Sequence, residues 1–179
     1  MNLILFGFKS SGKTTLGMLV AQQLDRPFID TDHLLEELYL SRTGKKMGTR
    51  EIAKEIGEAE FRKLESDALQ QLKNQDRAVI ALGGGAILKP ENAALLAKLG
   101  QLVYLKVSKE TLKKRILGGE LPTFLDPMYP EESFERMYQE RLAIYEKILA
   151  FSIDLETQTQ DQVVQELCAL IQKKEREDG

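Results

Sequence analysis

The segment Gly7-Phe8-Lys9-Ser10-Ser11-Gly12-Lys13-Thr14 constrains this chain more than any other. It fits G-x-x-x-x-G-K-[ST] and sits between a continuous apolar run at residues 2–6 and a stretch of helical spacing at residues 14–24. Each required residue has a physical task. The glycines let the backbone curl so that its N–H groups face phosphate oxygens. The helix that follows aims its positive N-terminal end at the same anion. Lys13 supplies an ammonium for the β- and γ-phosphates, and Thr14 a hydroxyl for Mg²⁺. An apolar strand feeding such a loop points to an α/β architecture with a nucleotide site at the strand's carboxyl end. The pattern specifies nucleotide binding and leaves the reaction open.

The rest of the chain keeps alternating strand and helix. Further strands are predicted at residues 27–30, 78–82, 101–107 and 152–155. Helices are predicted at 33–39, 50–56, 57–72, 92–99, 109–117, 133–149 and 161–174. Residues 118–130 carry three prolines and two glycines and read as irregular. Such alternation predicts a parallel sheet with helices on both faces. A chain of 179 residues with no repeat, linker or second core fits one domain, residues 1–179.

The charges nearly balance, 25 basic against 28 acidic, for a net −3. That weighs against a nucleic-acid coat or an anionic membrane surface as partner. One cysteine, Cys168, excludes an intrachain disulfide framework, and one histidine, His33, excludes a multi-histidine metal site. Cys168 falls in the last predicted helix, where core packing is its expected role. No apolar run approaches a bilayer span, and the apolar start is too short and lacks a basic flank for a targeting signal. A cytoplasmic protein is the expectation.

Asp30-Thr31-Asp32 ends the second predicted strand, at the sheet edge where α/β folds bind ligands. One carboxylate suits Mg²⁺ held through water, and the other a substrate hydroxyl. The alternative is a helix N-cap. His33 would lie just inside that helix with no special task. Arg62 has Glu65 three residues on, placed to hold its guanidinium or to form a plain surface pair. Gly83-Gly84-Gly85 follows a buried strand; three glycines let a ligand or backbone approach closely, though two suffice for a turn. Arg141 and Tyr145 share a helix face at i, i+4, and Arg115 ends a helix before the Gly/Pro segment. Each of these arginines alone also fits a solvated surface charge.

Together these residues resemble the shikimate kinase family over roughly residues 3–150. The matching pieces are GFKSSGKTT, FIDTDHLLEE, TGKKM, EFRKLE, ALGGGAIL and ERLAIY, in the family's order. The resemblance implies a three-layer P-loop NTPase fold of the nucleoside monophosphate kinase type, with a five-stranded parallel sheet of order 2-3-1-4-5. It implies transfer of the γ-phosphate of ATP to the 3-hydroxyl of shikimate, a step toward chorismate and the aromatic amino acids, by a monomer. Shikimate contacts map onto Asp32, Arg62, Gly84 with its neighbours Gly83 and Gly85, and Arg141. Asp32 would take the hydroxyl, and Arg62 and Arg141 the carboxylate. ATP maps onto Ser10, Ser11, Gly12, Lys13, Thr14 and Thr15, with Arg115 near the adenine. Mg²⁺ maps onto Thr14, and onto Asp30 through water. Residues 44–60 would be the substrate-binding region and 117–130 the lid.

The chain departs from the family in its lid. The family's R-P-L-L is here Leu121-Pro122-Thr123-Phe124, so the arginine that would reach the transferring phosphate is Leu121. Between residues 116 and 135 there is no Lys or Arg and there are five acids. Lys9, an extra cation inside the phosphate loop, is a candidate replacement; the alternative is a solvent-facing loop lysine. Glu156-Thr157-Gln158-Thr159 lacks the Arg and Pro often found near the adenine, which leaves base selectivity open. Two rival readings remain: a related P-loop kinase for another hydroxy acid such as gluconate, and an ATP-binding homologue that has lost turnover.

Overall fold

Strand β1 (Asn2–Phe6) is buried along its whole length, which explains its unbroken apolar sequence. In the computed structural model, which describes residues 1–177, it is the middle of a five-stranded parallel sheet. The other strands are β2 (Phe28–Asp30), β3 (Val79–Ala81), β4 (Gly100–Lys106) and β5 (Phe151–Asp154). Their order is β2-β3-β1-β4-β5, as the sequence predicts. Asn2 pins the amino ends of three of them: its Nδ2 donates to Gln75 O and Leu99 O, and its Oδ1 accepts from Ala78 N, all at 2.9 Å.

Side chains alternate across β1. Leu3 and Leu5 join a core made with α1 (Lys13–Leu24) and α7 (Gln160–Glu177), in which Cys168 is packed as expected. Ile4 and Phe6 face the opposite core, built from the second half of α3 (Thr49–Gln70) together with α4 (Pro90–Leu99), α5 (Lys109–Leu117) and α6 (Pro130–Tyr145). A third, smaller cluster joins α2 (Thr31–Thr43) to α3 through Leu35, Tyr39, Ile52 and Phe61. Among the described residues no helix is long and apolar enough to cross a membrane.

Several predicted boundaries move, and those of α2, α3 and α6 bear on the site. α2 begins at Thr31, because Asp30 is its N-cap and accepts from Asp32 N at 3.0 Å. Asp32 therefore stands in the first turn of a helix, not in a loop before it. The two helices predicted across residues 50–72 form one element broken at Gly57 (φ 78°, ψ 164°). α6 begins at Pro130, whose fixed φ suits a first helical position, and ends at Tyr145. Beyond it the backbone tightens into turns, and Leu149 is 98% exposed, with no apolar face left to bury.

Candidate active site

The sequence-predicted site residues come from the segments that follow β1 (Ser10 to Thr15), β2 (Asp30, Asp32) and β3 (Gly83 to Gly85), and from helices α3 (Arg62), α5 (Arg115) and α6 (Arg141). The phosphate loop is shaped from within. Gly12 sits at φ 92°, a conformation that L side chains resist. Lys13 is buried and donates to the loop's own carbonyls, Phe8 O at 2.7 Å and Gly7 O at 3.1 Å. Burial pushes its ammonium down to about 8, against the pull of Asp32 and Asp30. Thr15 is exposed and belongs to a separate apolar hollow with Met18 and Phe28.

Thr14 Oγ1 donates to Asp30 Oδ2 at 2.9 Å. The two oxygens thus meet at the start of two helices, while Asp30 Oδ1 does the capping. For Asp30 the N-cap reading is the one the structure shows. Its other oxygen stands beside the Thr14 hydroxyl, a pair whose chemistry suits Mg²⁺, which takes few protein ligands and keeps most of its waters. Asp32 is different. Burial, with Asp30 beside it, pushes its carboxyl up, against Lys13 and Lys9. His33 is exposed and pairs with Glu36, as a surface residue should.

The three glycines have separate tasks, and none is a spare turn residue. A side chain at Gly83 would strike the Asp32 carboxylate, and one at Gly85 would strike the Arg62 guanidinium. A Cβ at Gly84 would lie 3.2 Å from the Lys9 backbone nitrogen and 3.7 Å from Arg141 Nη1. Thr31, which the sequence did not single out, fixes this turn by accepting from Gly83 N at 2.8 Å. Tyr145 does so from α6, donating to Gly84 O at 2.6 Å. The i, i+4 spacing puts Tyr145 on the helix face of Arg141, the one sequence signal for its place here.

The two α-helical arginines are held in contrasting ways. Arg62 is gripped by Glu65 Oε2 at 2.8 Å and Glu58 Oε1 at 2.7 Å. Burial alone would lower its pKa, but Glu65 and Glu58 outweigh it. Arg141 is 7% exposed and pairs with no carboxylate among the described residues. Its guanidinium lies 4.3 Å over the ring of Phe124. A buried guanidinium without a counter-ion is a ready receptor for a carboxylate.

One cleft of about 420 Å³ joins these groups, with Lys9 and Ser10 of the phosphate loop at one part and Asp32, Arg62 and Arg141 at another. Arg115 borders it and donates to Ser10 O at 3.1 Å, so it braces the phosphate loop. It also lines a second hollow with Thr111, Lys114 and Gly118. Nearby, Glu156 accepts from Ser108 N at 3.1 Å and so helps cap α5, a structural task for a segment that departs from the family.

With this geometry in place, the comparisons with known proteins decide the family. The shikimate kinase family model matches residues 9–172. The chain belongs to the shikimate kinase family. A shikimate kinase of Burkholderia pseudomallei (strain 1710b) is 37% identical over 86% of this chain and 80% of its own length. The structure of a shikimate kinase from Acinetobacter baumannii, solved in complex with shikimate, superimposes with TM-score 0.82 at 29% identity, over 97% of this chain and 93% of that one. A gluconokinase from Sinorhizobium meliloti aligns with TM-score 0.60 at 16% identity. That likeness reaches only the fold.

In the segment of residues 117–130, Leu121 packs with Phe124 against the main core, and Leu125 is buried there. The residues of this segment that line the cleft include Glu120, Pro122, Thr123 and Phe124, none of them cationic. Arg50, which the sequence did not flag, enters the same cleft from α3. Only its position in a basic loop-to-helix stretch hinted at it.

Proposed function

We propose that this protein is a shikimate kinase that transfers the γ-phosphate of ATP to the 3-hydroxyl of shikimate, giving shikimate 3-phosphate and ADP. The observation that carries the reading is the single cleft that holds a phosphate loop, a buried carboxylate and a free buried arginine together. Phosphoryl transfer asks little covalent work of a protein; it asks for position and charge compensation.

Arg141 receives the shikimate carboxylate, with Arg62, aligned by Glu58 and Glu65, as the second arm of the clamp. Asp32 lies where the hydroxyl to be phosphorylated must come, and its raised pKa suits a group that takes up that proton. Lys13 exchanges the carbonyls of Gly7 and Phe8 for phosphate oxygens and loses no hydrogen bonding in doing so. Ser10 to Thr14 line the phosphates with backbone N–H groups, Thr15 follows them in the first turn of α1, and Arg115 lies beside the nucleotide. Mg²⁺ would be held by Thr14, with Asp30 reached through water, and when bound it neutralises charge on the phosphates. Residues 44–60 act as the substrate-binding region and 117–130 as the lid of one kinase domain, residues 1–179. The enzyme works as a monomer in the cytoplasm.

The test is a coupled assay of ADP release with shikimate and gluconate side by side. Turnover that depends on shikimate and not on gluconate is expected. ATP binding with no turnover on either would overturn the reading in favour of a homologue without activity. Asp32→Asn is expected to lower kcat by about two to four powers of ten while leaving nucleotide affinity nearly unchanged.

A further inference from the structure

An ion pair between Arg50, at the start of α3, and Glu120 of the proposed lid forms part of the cleft's lining. The polarity is the reverse of what a cationic lid would give: the lid contributes the acid and the opposite wall the arginine. Three observations bear on what Arg50 does. Its Nε–H is buried and has no acceptor among the described residues, so it is one donor short of satisfied. The Glu120 side chain that holds its other end is 78% exposed. An exposed pair of this kind contributes only about 0–1 kcal/mol, so a polyanion entering the cleft displaces the carboxylate at little cost. Finally, the other cleft arginines have tasks away from the transferring phosphoryl group. Arg62 is held by Glu58 and Glu65, Arg115 by Ser10 O, and Arg141, free of any carboxylate among the described residues, is the receptor for the substrate carboxylate in the kinase reading.

We infer that Arg50 supplies the cation that faces the transferring phosphoryl group in this chain, and that Glu120 is its positioning residue. The inference rests on the kinase reading above. It assigns the charge compensation to a helix outside the lid, which explains why Leu121 is free to pack into the core. Lys9 lines the same cleft from the phosphate loop and is the competing candidate.

The test compares wild type, Arg50→Ala, Arg50→Lys, Glu120→Gln and Lys9→Ala. The expected result for Arg50→Ala is a fall in kcat of at least about tenfold, partly restored in Arg50→Lys. Binding supplies the second readout. Affinity for MgADP with tetrafluoroaluminate and shikimate, a mimic of the group in flight, is expected to weaken at least about tenfold, with MgADP alone unchanged within about twofold. Glu120→Gln is expected to give a smaller loss of the same kind, whereas Lys9→Ala, in the phosphate loop, is expected to weaken MgADP and the mimic by equal factors. The inference is overturned if Arg50→Ala leaves both kcat and mimic binding within about twofold of wild type, or if Lys9→Ala alone carries the loss. It is also overturned if MgADP binding and the mimic weaken equally in Arg50→Ala, since that marks a merely structural role. A wild type that binds MgADP but turns over no shikimate overturns the kinase reading itself, and the inference with it.

Discussion

At the scale of single residues, the site works by holding charges where water cannot serve them. Lys13 is the clearest case. Burial lowers its pKa to about 8, and phosphate oxygens beside it must raise it by favouring the charged form. The protonated form is thus the one that binds nucleotide. Affinity for ATP should be greatest below pH about 8 and fall as pH rises past it, by up to about tenfold per unit until the pKa of the bound state is reached. Calorimetric titration at pH about 9 in two buffers of different ionisation enthalpy should show net proton uptake on binding. Affinity that stays flat from about one unit below the Lys13 pKa to about two units above it would refute the assignment. Asp32 shows the opposite sign for the same reason: burial disfavours its charge, and that makes it a better acceptor for a substrate proton.

At the scale of elements, the turn after β3 matters most. Its glycines are vacancies shaped for neighbouring side chains, so a methyl group there should act on substrate and not on nucleotide. Gly85→Ala pushes against the Arg62 guanidinium, which Glu58 and Glu65 hold in place. The expected outcome is a KM for shikimate raised about tenfold, with the KM for ATP nearly unchanged, as steady-state kinetics would show. At the other edge of the sheet, Asn2 ties β1, β3 and β4 through three hydrogen bonds, one buried and two partly buried. Asn2→Ala leaves two carbonyls and one N–H unpaired, at about 1–3 kcal/mol each before relaxation or water entry. A lower midpoint in urea with an unchanged slope is expected, along with unaltered kcat in the folded enzyme.

At the scale of the whole molecule, the net charge of −3 does not describe the cleft. The chain is acidic, yet Lys9, Arg50, Arg62, Arg115 and Arg141 border one cleft against the four acids Asp32, Glu58, Glu65 and Glu120, so the cleft carries a small excess of positive charge. If the net charge governed binding, salt would help an anionic substrate; if the cleft governs, salt must hinder it. The KM for shikimate should rise severalfold between about 0.05 M and about 0.5 M KCl. A KM that falls over that range would contradict the cleft reading. Much of this was legible in the sequence. The apolar run of residues 2–6, the phosphate loop, the DTD segment and the triple glycine each encode local geometry, because backbone freedom, strand burial and helix capping are short-range properties. They determined the sheet, its order through the family resemblance, and most of the site. What the sequence left open were matters of long-range proximity. Whether Asp30 caps a helix or meets Thr14, which arginine keeps a carboxylate and which stays free, and what faces the lid all depend on side chains far apart in the chain. Arg50 and Glu120 are the sharpest example. Seventy residues separate them, neither belongs to a motif, and only the packing of α3 against the cleft brings their charges together.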